Sequence, residues 1–360
     1  MRTVTIGVLA MALLGVCWSG NRVQPENDAS ALAVQKGVRW LAAVQGKDGG
    51  WGQDGGETSF VRTGERLETN GNDVANTAVA VQALLHAGNS PTQGPYAAAV
   101  RRGVDFILRQ VEQCPDEGLA VTSVTGTQIQ RKLGPYIDTF LTSMLLAEID
   151  GNMGDARSNQ RVRAALQKCV NKVEKNQQKD GSWNIAGGWA PILGTSMASR
   201  SLYVAGQKGV KVKPEIAAKV DEYTKQNSRT NGPAAAGVPL YQRAQALEQL
   251  SRTSADRAKN EADIKSITRE LASPRVVNGF GSMGGEEFFS YLNISDSLHR
   301  GGGEEWNQWN QQIKTRLVTL QNDDGTWAGH HCITGRVAVT SAAVLTLRGE
   351  RDPIMQQARK

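Results

Sequence analysis

Two short stretches concentrate the side chains able to move protons. In 281–291, GSMGGEEFFSY, a pair of glycines precedes Glu286 and Glu287; in 329–336, GHHCITGR, His330, His331 and Cys332 stand side by side and hold half of the four histidines. A carboxyl facing an imidazole is a general acid and base pair, which makes Glu286 and His331 the candidate catalytic residues. Glu287, Tyr291, Cys332 and Arg336 beside them are candidate ligand contacts, as are Asp138 in 136–151 and Arg200, a charge in the small-residue run TSMASRSLY that needs a partner or a ligand. Blander readings stand beside these: two acids in a first helical turn favour the macrodipole, and Asp73, Asn76 and Asp138 suit helix caps. Zinc sites separate their ligands by two or more residues, so adjacent His330, His331 and Cys332 are not read as a metal site, and no cofactor is expected.

Other classes are excluded more simply. The chain of 360 residues carries a formal charge of +6, with Lys and Arg interleaved among acids and no basic block carrying aromatics, so nucleic acid is not an expected partner. Residues 1–20 have an early Arg, an apolar run from Val4 to Trp18 and then small residues, which is the plan of a secretory signal peptide. The run is too short to favour a membrane span, and a lipid on Cys17 is the less favoured alternative to ordinary cleavage. The expected mature chain, 21–360, is secreted, periplasmic or held at the cell envelope, and has no transmembrane segment. Its remaining cysteines are Cys114, Cys169 and Cys332; an oxidising compartment would permit a Cys114–Cys169 bond, but spacing alone does not fix the pairing.

The elements that must position these side chains are written in a repeat. QGKDGGWG at 45–52 returns as QQKDGSWN at 177–184 and QNDDGTWA at 321–328, so Gln45, Asp48 and Trp51 match Gln177, Asp180 and Trp183, and again Gln321, Asp324 and Trp327. Stripes of helical period are plentiful, such as Val100, Val104, Ile107 and Val111, or Val162, Leu166, Cys169, Val170 and Val173, or Trp309, Ile313, Leu317 and Leu320, and each copy of the motif follows a charged outer segment. Gln then falls in a last helical turn, Asp-Gly makes a sharp turn with a positive-φ glycine, and Trp covers the joint to the next element. Six charged segments near 30–45, 96–112, 159–177, 213–225, 256–271 and 306–320 each precede one rich in Ala, Ser and Thr, at 72–88, 136–151, 193–209, 239–253, 284–298 and 335–349. Small residues allow close helix approach, so the second set is the inner layer. The reading is all-α, with six helical hairpins closing into one ring, because an open array would need polar capping units that neither end supplies.

The three motifs and paired helices resemble the repeat of squalene and hopene cyclases and of protein prenyltransferase β-subunits, the prenyltransferase and squalene oxidase repeat. The resemblance covers essentially the whole mature chain and implies an (α/α)6 toroid around a central cavity. It also supplies three chemistries to check. Cyclases protonate a double bond with an Asp-x-Asp-Asp motif, and the only near match found is NDDG at 322–325, whose acids belong to the third turn motif. Zinc prenyltransferases use Asp, Cys and His, and the matching positions read Glu286, Phe288 and Val339. Complement-like thioester domains need a Cys and a Gln three residues apart, where this chain has Met283 and Glu286.

The expected function is therefore a binding toroid whose cavity takes an apolar ligand, an isoprenoid or other lipid, or a peptide, without classical cyclase or zinc chemistry. Aromatic walls steady carbocations, and the inner set is poor in them. The alternatives are a cyclase-like or prenyltransferase-like enzyme with a non-standard acid such as Glu286, and a structural envelope protein.

Overall fold

The computed structural model describes residues 29–54, 61–62, 65–66, 71–185, 191–227, 237–279, 287–329, 333 and 335–349. In chain order the helices are α1 (Ala29–Ala43), α2 (Val74–His86), α3 (Ala97–Gln113), α4 (Gln128–Leu133), α5 (Ile137–Ile149), α6 (Ala156–Lys175), α7 (Pro191–Gln207) and α8 (Pro214–Asn227). They continue as α9 (Gly237–Leu250), α10 (Ser254–Lys259), α11 (Glu261–Leu271), α12 (Pro274–Gly279), α13 (Glu287–Gly301), α14 (Gly303–Leu320) and α15 (Arg336–Leu347). A two-residue hairpin, β1 (Val61–Arg62) with β2 (Glu65–Arg66), is the one sheet among the described residues.

Six of these helices form the inner layer. α2 packs on α5, α5 on α7, α7 on α9, α9 on α13, α13 on α15, and α15 back on α2, so the ring is closed. Composition separates the layers: every residue of α5 from Ile137 to Ile149 is buried, whereas α6 buries a stripe of Val162, Ala165, Leu166, Cys169, Val170 and Val173 together with the stems of Lys172 and Glu174. A helix apolar all round has to be covered on every side, and one with a single stripe belongs at the rim. The outer layer is α1, α3, α6, α8, α11 and α14, of which α1, α6 and α14 pack across a joint between inner neighbours, as α1 does on α15 and α2.

The repeated motif is the fastening of this ring. Trp51, Trp183 and Trp327 are buried, and each indole N–H donates ten residues back, to the carbonyls of Leu41, Val173 and Leu317 at 2.7–2.8 Å. Their backbone N–H groups donate to Thr77, Thr195 and Thr340 on the inner helix that follows. Gly49, Gly181 and Gly325 have φ of 94°, 90° and 88° and lie against the next outer helix, so closely that an added Cβ would come within 2.5 Å of the Arg102 carbonyl or 2.3 Å of that of Lys219. The Gln side chains complete the tie by donating to Ala99, Ile216 and Ala33 on those next helices. Each clasp thus joins one outer helix to its own inner helix and to the following outer helix. The third reaches from Gln321 to Ala33 at 2.8 Å, across 288 residues, and closes the circle. At this seam Ala29 and Arg348 line one surface groove.

One outer element departs from expectation. The stretch read as a single helix over 256–271 is broken into α10 and α11 at Asn260, which has φ −112° and ψ 20° and whose side-chain amide donates to the Asp256 and Leu250 carbonyls. The short α4 and α12 were not anticipated.

Candidate functional site

The beginning of α2 brings together two buried acids. Asp73 is the N-cap, its carboxylate accepting from the Asn76 backbone N–H at 2.8 Å and the Asn76 side chain at 2.7 Å. Asp138, in the first turn of neighbouring α5, accepts from the Ala75 N–H at 3.1 Å and from Gln130 of α4 at 2.7 Å. Burial, then the charge of Asp138, raises the Asp73 carboxyl to about 7; burial raises Asp138 to about 6, with the Gln130 and backbone bonds opposing it. One proton between two desolvated carboxyls is the state that acid catalysis requires, but all four oxygens here already accept amide hydrogens.

The same turn contains a motif missed in the sequence. Asp73-Val74-Ala75-Asn76 is Asp-x-Asp-Asp with Ala at the third position and Asn at the fourth. Ala75 is in helical phase with Val79, Gln82 and His86, and Asp138 with Leu141, Met144 and Glu148, all six of which line the central cavity. Asp138 delivers a carboxyl to the backbone N–H of Ala75.

Toward the end at which the inner helices finish, the ring is plugged by polar side-chain pairs. His86 Nε2 lies 3.1 Å from Glu148, and Arg200 pairs with Asp296 while donating to Asn293 at 2.8 Å. With Val79, Leu141, Met197, Phe289 and Leu345 these leave a central cavity of about 50 Å³, room for a few water molecules. A neighbouring pair is Glu248 with Arg252, where burial pushing the carboxyl up is outweighed by Arg252 and Arg300.

The sequence-read candidates separate on this frame. Arg200 lines the cavity, but its charge is met by Asp296. Asp138 is buried under α2 rather than free to meet a ligand. Tyr291 does not line the cavity: its hydroxyl donates to the Val276 carbonyl and its ring stacks on Trp309 with centroids 5.4 Å apart. Arg336 is a clasp residue, held by Asp54 at 2.7 Å and Asp324 at 2.9 Å over the ring of Trp40. Phe288 and Val339 are buried apolar side chains. Cys114 and Cys169 are free thiols. Met283, Glu286, His330, His331 and Cys332 lie outside the described residues, as does the side chain of Glu287.

Comparisons with known proteins agree with this architecture. The squalene-hopene cyclase C-terminal domain family matches residues 17–133, which include α2 and the degenerate motif. A structure of the type II terpene cyclase MstE from Scytonema with merosterolic acid A as product superposes with a TM-score of 0.54 at 14% identity, covering 91% of this chain and 98% of that one. A second, with geranylgeranyl dihydroxybenzoate as substrate, gives 0.55 at 12% identity over the same shares. No curated protein matches the sequence. At such identities the likeness establishes the fold alone: the chain folds as an all-α toroid like that of the type II terpene cyclases.

Proposed function

We propose that this toroid is an exported binding protein for an apolar or amphipathic small molecule, an isoprenoid lipid being the chemistry that best suits the fold, and that it does not perform cyclase or zinc prenyltransferase chemistry. The observation carrying the proposal is the start of α2. A methyl group, Ala75, stands in helical phase with the cavity lining, and both nearby carboxyls are engaged by amide donors on every oxygen. An acid so held, each oxygen accepting an amide hydrogen, stabilises a helix junction. The mature chain 21–360 is a single ring, secreted or periplasmic, and no helix among the described residues is long and apolar enough to cross a membrane.

Native mass spectrometry of the chain exported to a bacterial periplasm tests this, with denaturing release to identify what is bound. A released isoprenoid or fatty adduct supports the reading; a released peptide moves the partner class, and a bare mass favours a structural envelope role. A cyclase-like enzyme is the second reading, because Asp73 keeps its proton up to about pH 7. Turnover of squalene or a geranylgeranyl substrate that disappears in Asp73→Asn would establish it and refute the first.

A further inference from the structure

The joint after α3 lacks the clasp found after α1, α6 and α14, yet it is built on the same plan. Gln113 and Asp116 keep the spacing of the clasp Gln and Asp, the positive-φ glycine, Gly118 at 68°, comes one place later than in the clasps, and Leu119 stands where Trp would. The carbonyl of Leu119 accepts from Thr139 of α5 at 2.6 Å, as Trp51 and Trp327 do from Thr77 and Thr340. What is missing is the Gln bond to the next outer helix. In its place Lys168 of α6 reaches the Cys114 carbonyl at 2.5 Å and Asp116 at 3.0 Å, and Lys172 reaches the carbonyls of Glu117 and Gly118 at 3.1 Å. Cys169 is on this same buried face of α6, between those two lysines, and Cys114 opens the segment that they hold. We infer that Cys114 and Cys169 form a disulfide under oxidising conditions, a covalent substitute for the absent clasp at the second joint.

Access and chemistry fit a defined order of steps. Cys114 is half-buried and lines a surface groove of about 330 Å³ with Gln110, Gln113 and Thr122, whereas Cys169 is buried. The Cys114 thiolate attacks a small-molecule disulfide such as oxidised glutathione, one thiol leaves, and a mixed disulfide forms. Cys169 then loses its proton and attacks the Cys114 sulfur, the protein bond forms and the second thiol leaves. Two protein thiols are oxidised and one external disulfide is reduced to two thiols. Burial, with the nearby Cys114 adding to it, pushes the Cys169 thiol up to about 12, so the second step is slow until the joint opens.

The test uses the purified chain with Cys332→Ser, reduced and then incubated with oxidised glutathione. After unfolding and alkylation, peptide mapping should find residues 114 and 169 cross-linked, the chain lighter by two hydrogens, and the urea midpoint above that of the same protein kept reduced. Cys114→Ser should abolish all three changes. A stable glutathione adduct on Cys114 beside a still alkylatable Cys169, or two alkylatable thiols after prolonged oxidation, would overturn the inference. The comparison of oxidised with reduced protein needs no further variant, so a poorly folding mutant leaves the result readable.

Discussion

Gln321→Ala should weaken the ring at one place. The Gln321 amide donates to the Ala33 carbonyl at 2.8 Å and to the Gly325 carbonyl at 2.9 Å, and both bonds are partly buried. Each neutral bond is worth about 0.5–1.5 kcal/mol net, so losing both costs about 1–3 kcal/mol. Gln45 and Gln177 make the same two bonds, to Ala99 and Gly49 and to Ile216 and Gly181. The three alanine variants should therefore lose comparable global stability in urea. Their local signatures should differ, because Gln45 is 54 residues from Ala99 and Gln321 is 288 from Ala33. Closing the longer span costs about 1.5 kcal/mol more in chain entropy, which makes the seam the weakest joint. Amide hydrogen exchange should then speed up together in α1 and α14 of Gln321→Ala by about 5- to 150-fold, the range that 1–3 kcal/mol allows. Unchanged exchange in α1 despite an equal loss of global stability would refute the idea that this clasp holds the circle shut.

Gly325→Ala, at φ 88° with an added Cβ 2.8 Å from that of Lys36, should lose about 1–3 kcal/mol or more in urea denaturation, while Gly88→Ala, at φ 92° with nothing nearby, should lose only the backbone part. Trp183→Phe removes the indole bond to Val173 and should cost about 1 kcal/mol, read as a lower urea midpoint. The acid pair sets a pH dependence of definite sign. The folded pKa values, about 7 for Asp73 and about 6 for Asp138, lie above the unfolded value of 3.8, so the fold binds protons more tightly. Stability from this pair is fully present below pH 3.8 and declines as pH rises to about 7; Asp73→Asn should flatten that window in thermal denaturation.

Much of the ring was legible because its residues say locally what they do. The Gln, Asp, Gly and Trp of each clasp act within a few residues of one another, and the contrast between Ala-rich and striped helices reports burial directly. What escaped depends on partners far apart in sequence. Arg200 announced its need for a partner, but Asp296 lies 96 residues away. Asp138 looked like a cap or a ligand contact, and nothing in its own helix reveals that its carboxyl reaches the Ala75 N–H, 63 residues back. Asp73-Val74-Ala75-Asn76 was passed over because the acid that would have marked it is a methyl group. Tyr291 was placed inward from its helix, whereas Trp309 and the Val276 carbonyl draw it to the outer side.

The meeting of α15 with α1 has one more consequence. Since Ala29 and Arg348 border the same groove, the first and last helices of the described ring lie at neighbouring points of a circle. The order in which the six hairpins are translated is then a matter of where the gene starts, with little bearing on how they pack. A circular permutant in which Arg348 is linked to Ala29 and whose new ends lie in the exposed turn between α5 and α6, near Asn152, should assemble the same toroid, with Gln321 and Ala33 now joined within continuous chain.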